Sequence, residues 1–166
     1  MGVRIRGQSD RRCNYYHEML QDLIPLLRMK SKLEDKDLTL SFKQSGFGNK
    51  DDASFWVPVH SKIDSKIRDD LIIEINNGNG GHNYTKDIIH ELIHVRQYLS
   101  GRLLYVRIPG DKGQYVYWKS RSLGKLDLIS YRMRPWEKEA RKLELLYWKK
   151  YERIRKRKHR AALGRR

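Results

Sequence analysis

The spacing of hydrophobic positions divides the chain into helices and strands. Tyr16, Leu20, Leu23 and Leu27 recur at helical intervals and predict a first helix over residues 11–29, capped by Asp10 and bent by Pro25. Leu38, Leu40 and Phe42 alternate with Thr39, Ser41 and Lys43, the period of a half-buried strand. A second extended run carries Phe55, Val57 and Val59, and Pro58 places it near a sheet edge. Residues 71–76 predict a third strand, which leads through the turn-rich stretch 77–83 into a strongly periodic segment. There Ile88, Leu92, Val95 and Leu99 stand at i, i+4, i+7 and i+11, widened by Ile89 and Ile93, which predicts a helix packed into a core. Thr85 or Asn83 caps its start and Gly101 stops it. Residues 103–108 and 114–118 flank a Pro-Gly-containing turn and predict a hairpin. An irregular stretch then reaches Pro135, which opens a last helix running into a basic tail.

This order predicts an α+β fold with a small, mostly antiparallel sheet and long N- and C-terminal helices. At 166 residues and 39% hydrophobic content the chain suits one core, expected over residues 1–148, with 149–166 as a basic helix end or tail. The single cysteine, Cys13, excludes an internal disulfide framework and reads as a structural residue. No run of about 18 apolar residues is present and the first ten residues lack an apolar signal core, so a cytoplasmic protein without membrane contact is expected.

The periodic helix over 85–99 carries His90-Glu91-Leu92-Ile93-His94. Two histidines four apart on a helix lie one turn apart on one face, where both imidazoles can reach a single Zn²⁺, with the intervening Glu beside the first. Metal-assisted hydrolysis is the chemistry this implies, with Glu91 as general base and a peptide as the expected substrate. The glycines at 78, 80 and 81 lack the Gly-Lys-Ser/Thr of a phosphate cradle and read as a connector.

A catalytic zinc takes three protein ligands, so a third is required. Gln97 and Ser100 stand where an extended form of the motif has Gly and His, which excludes that class. His159 lies in the basic tail, so an acidic ligand is expected, from Glu137 or Glu139. These lie about 200° apart on a helix, so only one can face the metal. Glu137 falls in the first turn, where the helix dipole alone accounts for a carboxylate. Glu139 shares a face with Trp136, Leu143 and Leu146, and a carboxylate on a buried stripe needs a partner, so Glu139 is the favoured ligand. Tyr131, then Tyr117 or His82, are the candidates to stabilise a developing oxyanion.

These residues resemble a family. His90 to His94 with a later Glu on a second helix is similar to the gluzincin branch of the zincin metallopeptidases. More narrowly, this motif followed by Tyr131 and Pro135-Trp136-Glu137-Lys138-Glu139-Ala140 resembles small zincin-like proteins encoded by bacteriophages. The Glu139-Ala140 pair is also similar to the third-ligand helix of bacterial metallopeptidases that cleave helix-turn-helix repressors. The resemblance covers roughly residues 70–142 and implies zinc on the two histidines and Glu139, with Glu91 as base. It also implies that the strand at 71–76 is a sheet edge aligning an extended peptide, and a host-cytoplasmic or virion location. The chain departs from the thermolysin-like pattern, since Leu143 stands where that pattern has Asp.

Charge adds a second expectation. The net charge of +16 is distributed as +3 over residues 1–30, −1 over 31–103, +3 over 104–131 and +11 over 132–166, so the motif region is neutral and the excess is C-terminal. Tyr147, Trp148 and Tyr151 are interleaved with Lys149, Lys150 and Arg153, a composition suited to nucleic acid. The rival to a peptidase is therefore a basic nucleic-acid- or virion-associated binding protein with an inactive zincin-like domain. A protease acting on proteins bound to nucleic acid joins the two.

Overall fold

The computed structural model describes residues 2–43, 53–56, 59–60, 70–76, 84–108 and 110–164. In chain order the elements are β1 (Gly2–Arg6), α1 (Asp10–Leu26), β2 (Asp37–Lys43), β3 (Ala53–Trp56), β4 (Val59–His60), β5 (Asp70–Asn76), α2 (Thr85–Leu99), β6 (Leu103–Arg107), β7 (Gln114–Trp118), β8 (Arg121–Lys125) and α3 (Pro135–Leu163). Short 3₁₀ turns occupy Ser31–Leu33, Leu126–Leu128 and Tyr131–Met133. The fold is α+β, with three helices and two small sheets.

The first sheet runs β1-β2-β5-β3. The β1–β2 and β2–β5 pairs are parallel, and β3 pairs antiparallel to β5. Alternation along β2 and β5 puts Leu38 beside Leu71, Leu40 beside Ile73 and Phe42 beside Ile75, all buried on one face. Helices α1 and α2 complete that core with Leu20, Leu23, Ile24, Ile88, Leu92 and Val95. The second sheet, β4-β6-β7-β8, is built on the β6–β7 hairpin and encloses a separate cluster of Leu103, Val116, Trp118 and Trp136.

Two expectations are corrected here. Instead of one small, mostly antiparallel sheet there are two, each joining parallel and antiparallel pairs. Nor is the strand at 71–76 a sheet edge: β5 lies between β2 and β3, and β3 is the antiparallel strand at that end. Both β3 and β5 pack against α2, and β3, whose neighbouring Pro58 signalled an edge, is the one at the end of the sheet. The segment 77–83, with its glycines, Asn83 and His82, lies outside the described residues, as do Val57, Pro58 and Pro109.

Helix α3 joins both cores. Trp136, in its first turn, enters the second cluster, while Ala140, Tyr147 and Tyr151 belong to the first. Pro135 occupies the first helical position, where its missing N–H removes no helical bond. The helix then runs unbroken through Leu163, across the boundary expected at residue 148. Among the described residues no helix is long and apolar enough to cross a membrane.

Candidate metal centre

The apolar stripe of α2 fixes the direction of its histidines. Ile88, Ile89, Leu92, Ile93 and Val95 are fully buried, so His90 and His94 are carried to the flank that meets α3. Across that contact stands Glu137. Trp136 is locked into the second cluster, and the next residue, about 100° round the helix, is thereby directed at α2.

Glu137 Oε2 lies 3.3 Å from His90 Nε2, and Glu137 Oε1 lies 3.5 Å from His94 Nε2. The two Nε2 atoms are 3.1 Å apart. His90, His94 and Glu137 thus form a group that could hold a metal ion.

The surrounding hydrogen bonds determine which atoms in this group carry lone pairs. Gln97 Nε2 donates to the Trp136 carbonyl at 3.1 Å and to Glu139 Oε2 at 3.0 Å, and both of these can only accept. Gln97 Oε1 therefore faces His94, and the 2.8 Å contact is a bond donated by His94 Nδ1–H. On the other ring, His90 Nδ1–H donates to Glu144 Oε2 at 3.1 Å. In its neutral form each ring is then the Nδ1–H tautomer with its Nε2 lone pair turned to the Glu137 carboxylate, whereas a protonated ring donates Nε2–H to it. With both rings neutral, three acceptors this close repel one another unless a cation, either a proton or a metal ion, lies among them.

The separations suit a metal. Four-coordinate zinc with ligand bonds of about 2.0–2.2 Å has tetrahedral edges of about 3.3–3.6 Å. The Nε2–Nε2 distance of 3.1 Å is slightly shorter, and the contacts of 3.3 and 3.5 Å to the two different oxygens of Glu137 are of that size.

A proton on a ring is one such cation. Burial opposes the ionised form of Glu137, but hydrogen bonds from His90, His94 and Tyr131 outweigh it and hold the carboxyl far below the usual range. Burial also disfavours a charged His90, yet the hydrogen bond to Glu137, the Glu91 charge and the bond to Glu144 raise its pKa.

The residues expected from sequence are distributed unevenly around this group. Glu91 is buried on α2, and its charge is felt by His90 and by Tyr105 of β6. Tyr131 donates its hydroxyl to Glu137 Oε2 at 2.9 Å and is about half exposed, at 47%. Glu139, the favoured third ligand, is not brought to the histidines. It receives Arg102 at 2.5 Å as well as Gln97, and these bonds overcome partial burial to lower its pKa. The stripe used to place it does not exist as such, because Leu146 is exposed. The face of α3 that is buried against α2 and, further on, α1 instead carries Glu137, Ala140, Glu144, Tyr147 and Tyr151, whose 3-4-3-4 spacing was present in the sequence. Tyr117, on β7, is not among the residues hydrogen-bonded to the group, and His159 is exposed near the end of α3.

Sequence reasoning missed Gln97, Glu144 and Tyr105. Gln97 and Glu144 had a signal, since each stands three or seven residues from a ligand on a face that must be buried. Tyr105, half-buried beside Trp136, had none. Comparisons of this chain with protein-family models, curated proteins and solved structures find no match.

Proposed function

We propose that the chain is a zinc-dependent peptidase whose metal is held by His90, His94 and Glu137. One observation carries this reading. Two imidazoles whose Nδ1 atoms are engaged by Glu144 and Gln97 turn their Nε2 atoms to one buried carboxylate, with Glu91 next to His90 on the same helix. Three protein ligands, rather than four, is the number that catalytic zinc sites use.

Zinc bound there supplies Lewis acidity, polarising a carbonyl and making water acidic enough to attack it near neutral pH. The chain's own groups do the rest. Glu91 takes the proton of the attacking water and delivers it to the departing amine, so it needs a carboxylate at the start of each cycle. Glu144 and Gln97 hold the two rings in the tautomer that leaves Nε2 free to ligate. Tyr131 places its phenol hydroxyl against Glu137, and Tyr105 lies within reach of the Glu137 charge; burial together with that charge raises the pKa of both, so each remains a donor. A donor in that place can bind the oxyanion that forms when the carbonyl is attacked. The β3 edge, packed on α2, can pair with an extended backbone, which gives affinity with little side-chain demand.

The test compares wild-type protein with Glu91→Gln by elemental analysis and by turnover of an unfolded protein such as casein. The reading expects one zinc per chain in both, and turnover only in the wild type. Absence of stoichiometric zinc overturns it. Zinc without turnover in the wild type leaves a metal-stabilised binding domain and removes the peptidase.

A further inference from the structure

The outer face of α3 carries cations toward both of its ends, with exposed Leu145 and Leu146 in the gap between Lys142 and Lys149. Lys138, Lys142, Lys149, Arg153, Lys156 and Arg160 follow one another at intervals of four, seven, four, three and four residues. At 100° per residue they fall within about 60° of one another, opposite the side where Ala140, Tyr147 and Tyr151 are buried. All six are exposed, and none forms an ion pair among the described residues. The neighbouring cations are used differently. Arg155 pairs with Glu152 within α3, and Lys158 pairs with Asp22 of α1, a link between the distal half of the helix and the body. The stripe spans about 33 Å, close to one turn of duplex nucleic acid.

From this face we infer a binding surface for duplex nucleic acid that reads phosphates and not bases. Repeated cations on a straight helix match a polyphosphate, whose affinity comes from counterion release. A single strand would need aromatic platforms for its bases. The aromatics that alternate with the basic residues are turned inward, with Tyr147 and Tyr151 buried and Trp148 packed against the core. A lipid surface would need an apolar helix face to enter the bilayer interface. Here the apolar side of α3 lies against the protein, and the stripe region exposes only Leu145 and Leu146 between its basic residues. The surface is separate from the metal group, yet Lys138 directly follows Glu137. Duplex on this face would lie along the helix that carries the proposed ligand.

The experiment uses the full chain and a fluorescent duplex of about two turns, followed by anisotropy across salt. Six phosphate contacts predict a slope of log affinity against log salt of about −5, or roughly a thousand-fold loss between about 50 and 200 mM salt. A variant with Lys149→Gln, Arg153→Gln, Lys156→Gln and Arg160→Gln should keep its thermal midpoint, and its slope should fall to about −2. Its control removes the same charge elsewhere, through Lys30→Gln, Lys32→Gln, Lys112→Gln and Arg121→Gln, and should retain most of the wild-type slope. Duplexes of unrelated sequence should bind alike. Several results overturn the inference: no binding at low salt, equal losses in stripe and control variants, strong preference for one sequence, or tighter binding to phosphatidylserine vesicles than to duplex. Zinc content plays no part in this readout, so the peptidase reading can fail while the surface stands, or the reverse.

Discussion

His94 Nδ1 donates to Gln97 Oε1 at 2.8 Å, and through Gln97 a ring of the candidate metal group is tied to the start of α3. Gln97 continues to the Trp136 carbonyl and to Glu139, which is held in turn by Arg102. Gln97→Leu should therefore do two things. It frees the His94 ring, which should weaken zinc binding by about 10–100-fold in a chelator competition. It also removes a buried donor from two acceptors, which should cost about 1–3 kcal/mol in denaturant unfolding. A variant with full zinc affinity would show that the ring needs no outer partner.

Glu137 and Glu139 should separate cleanly when each is replaced by alanine. Glu137→Ala removes a proposed ligand, and its zinc loss should exceed the roughly 10–100-fold range that outer partners control. Glu139→Ala strips Arg102 and Gln97 of a shared acceptor. Its main effect should be on stability, with zinc affinity reduced only through Gln97. Equal zinc retention in the two proteins would refute the assignment of Glu137.

Much of this was legible because local pattern and tertiary packing agree. The stripe of α2, the β6–β7 hairpin and the Pro135 helix start each rest on spacing within a short window, and each stands where the sequence placed it. The failures come from choices that distant partners make. Val3 and Ile5 alternate in β1, yet this run is short and lined with arginines, and becomes a strand only because β2 is beside it. The family resemblance made β5 an edge, and the pairing of β3 with it overturns that expectation. Helix α3 offered two stripes, one rich in leucine and one mixing Glu, Ala and Tyr. Hydrophobicity favoured the first. The second is the buried one, because Trp136 sets the rotation and the two carboxylates find imidazole partners.

Acid should loosen the β6–β7–β8 region before it reaches the main core. Asp111 accepts from the Gly113 amide, Lys125 and Tyr115, and these bonds lower its pKa to about 2. A carboxyl whose pKa is lower when folded stabilises the fold above its unfolded value, and that contribution is lost as pH falls through the folded value. The window is thus from about pH 4 down to about 2. Asp111→Asn should lose most of this dependence, seen as a flatter response of hairpin amide exchange across that interval. An unchanged acid response would show that other carboxylates control it.

Ala140 tests whether helix spacing sets the metal centre. It is fully buried on α3 between Glu137 and Glu144, three residues from one and four from the other, on the face that meets α2. Ala140→Leu adds three carbons where there is no exposed side to receive them, and overpacking of this kind typically costs about 1–3 kcal/mol. The cost is relieved by moving α3 outward. Since both histidines are on α2 and both carboxylates on α3, that movement stretches the ligand edges and the His90–Glu144 bond together. Zinc affinity should then fall although no ligand has changed, while Leu145→Ala and Leu146→Ala on the exposed face should stay within about 0.5 kcal/mol of wild type. Calorimetric zinc titration of the three proteins, each checked for a cooperative melt, decides the matter: a folded Ala140→Leu protein with wild-type affinity would mean that the centre adjusts independently of the helix contact.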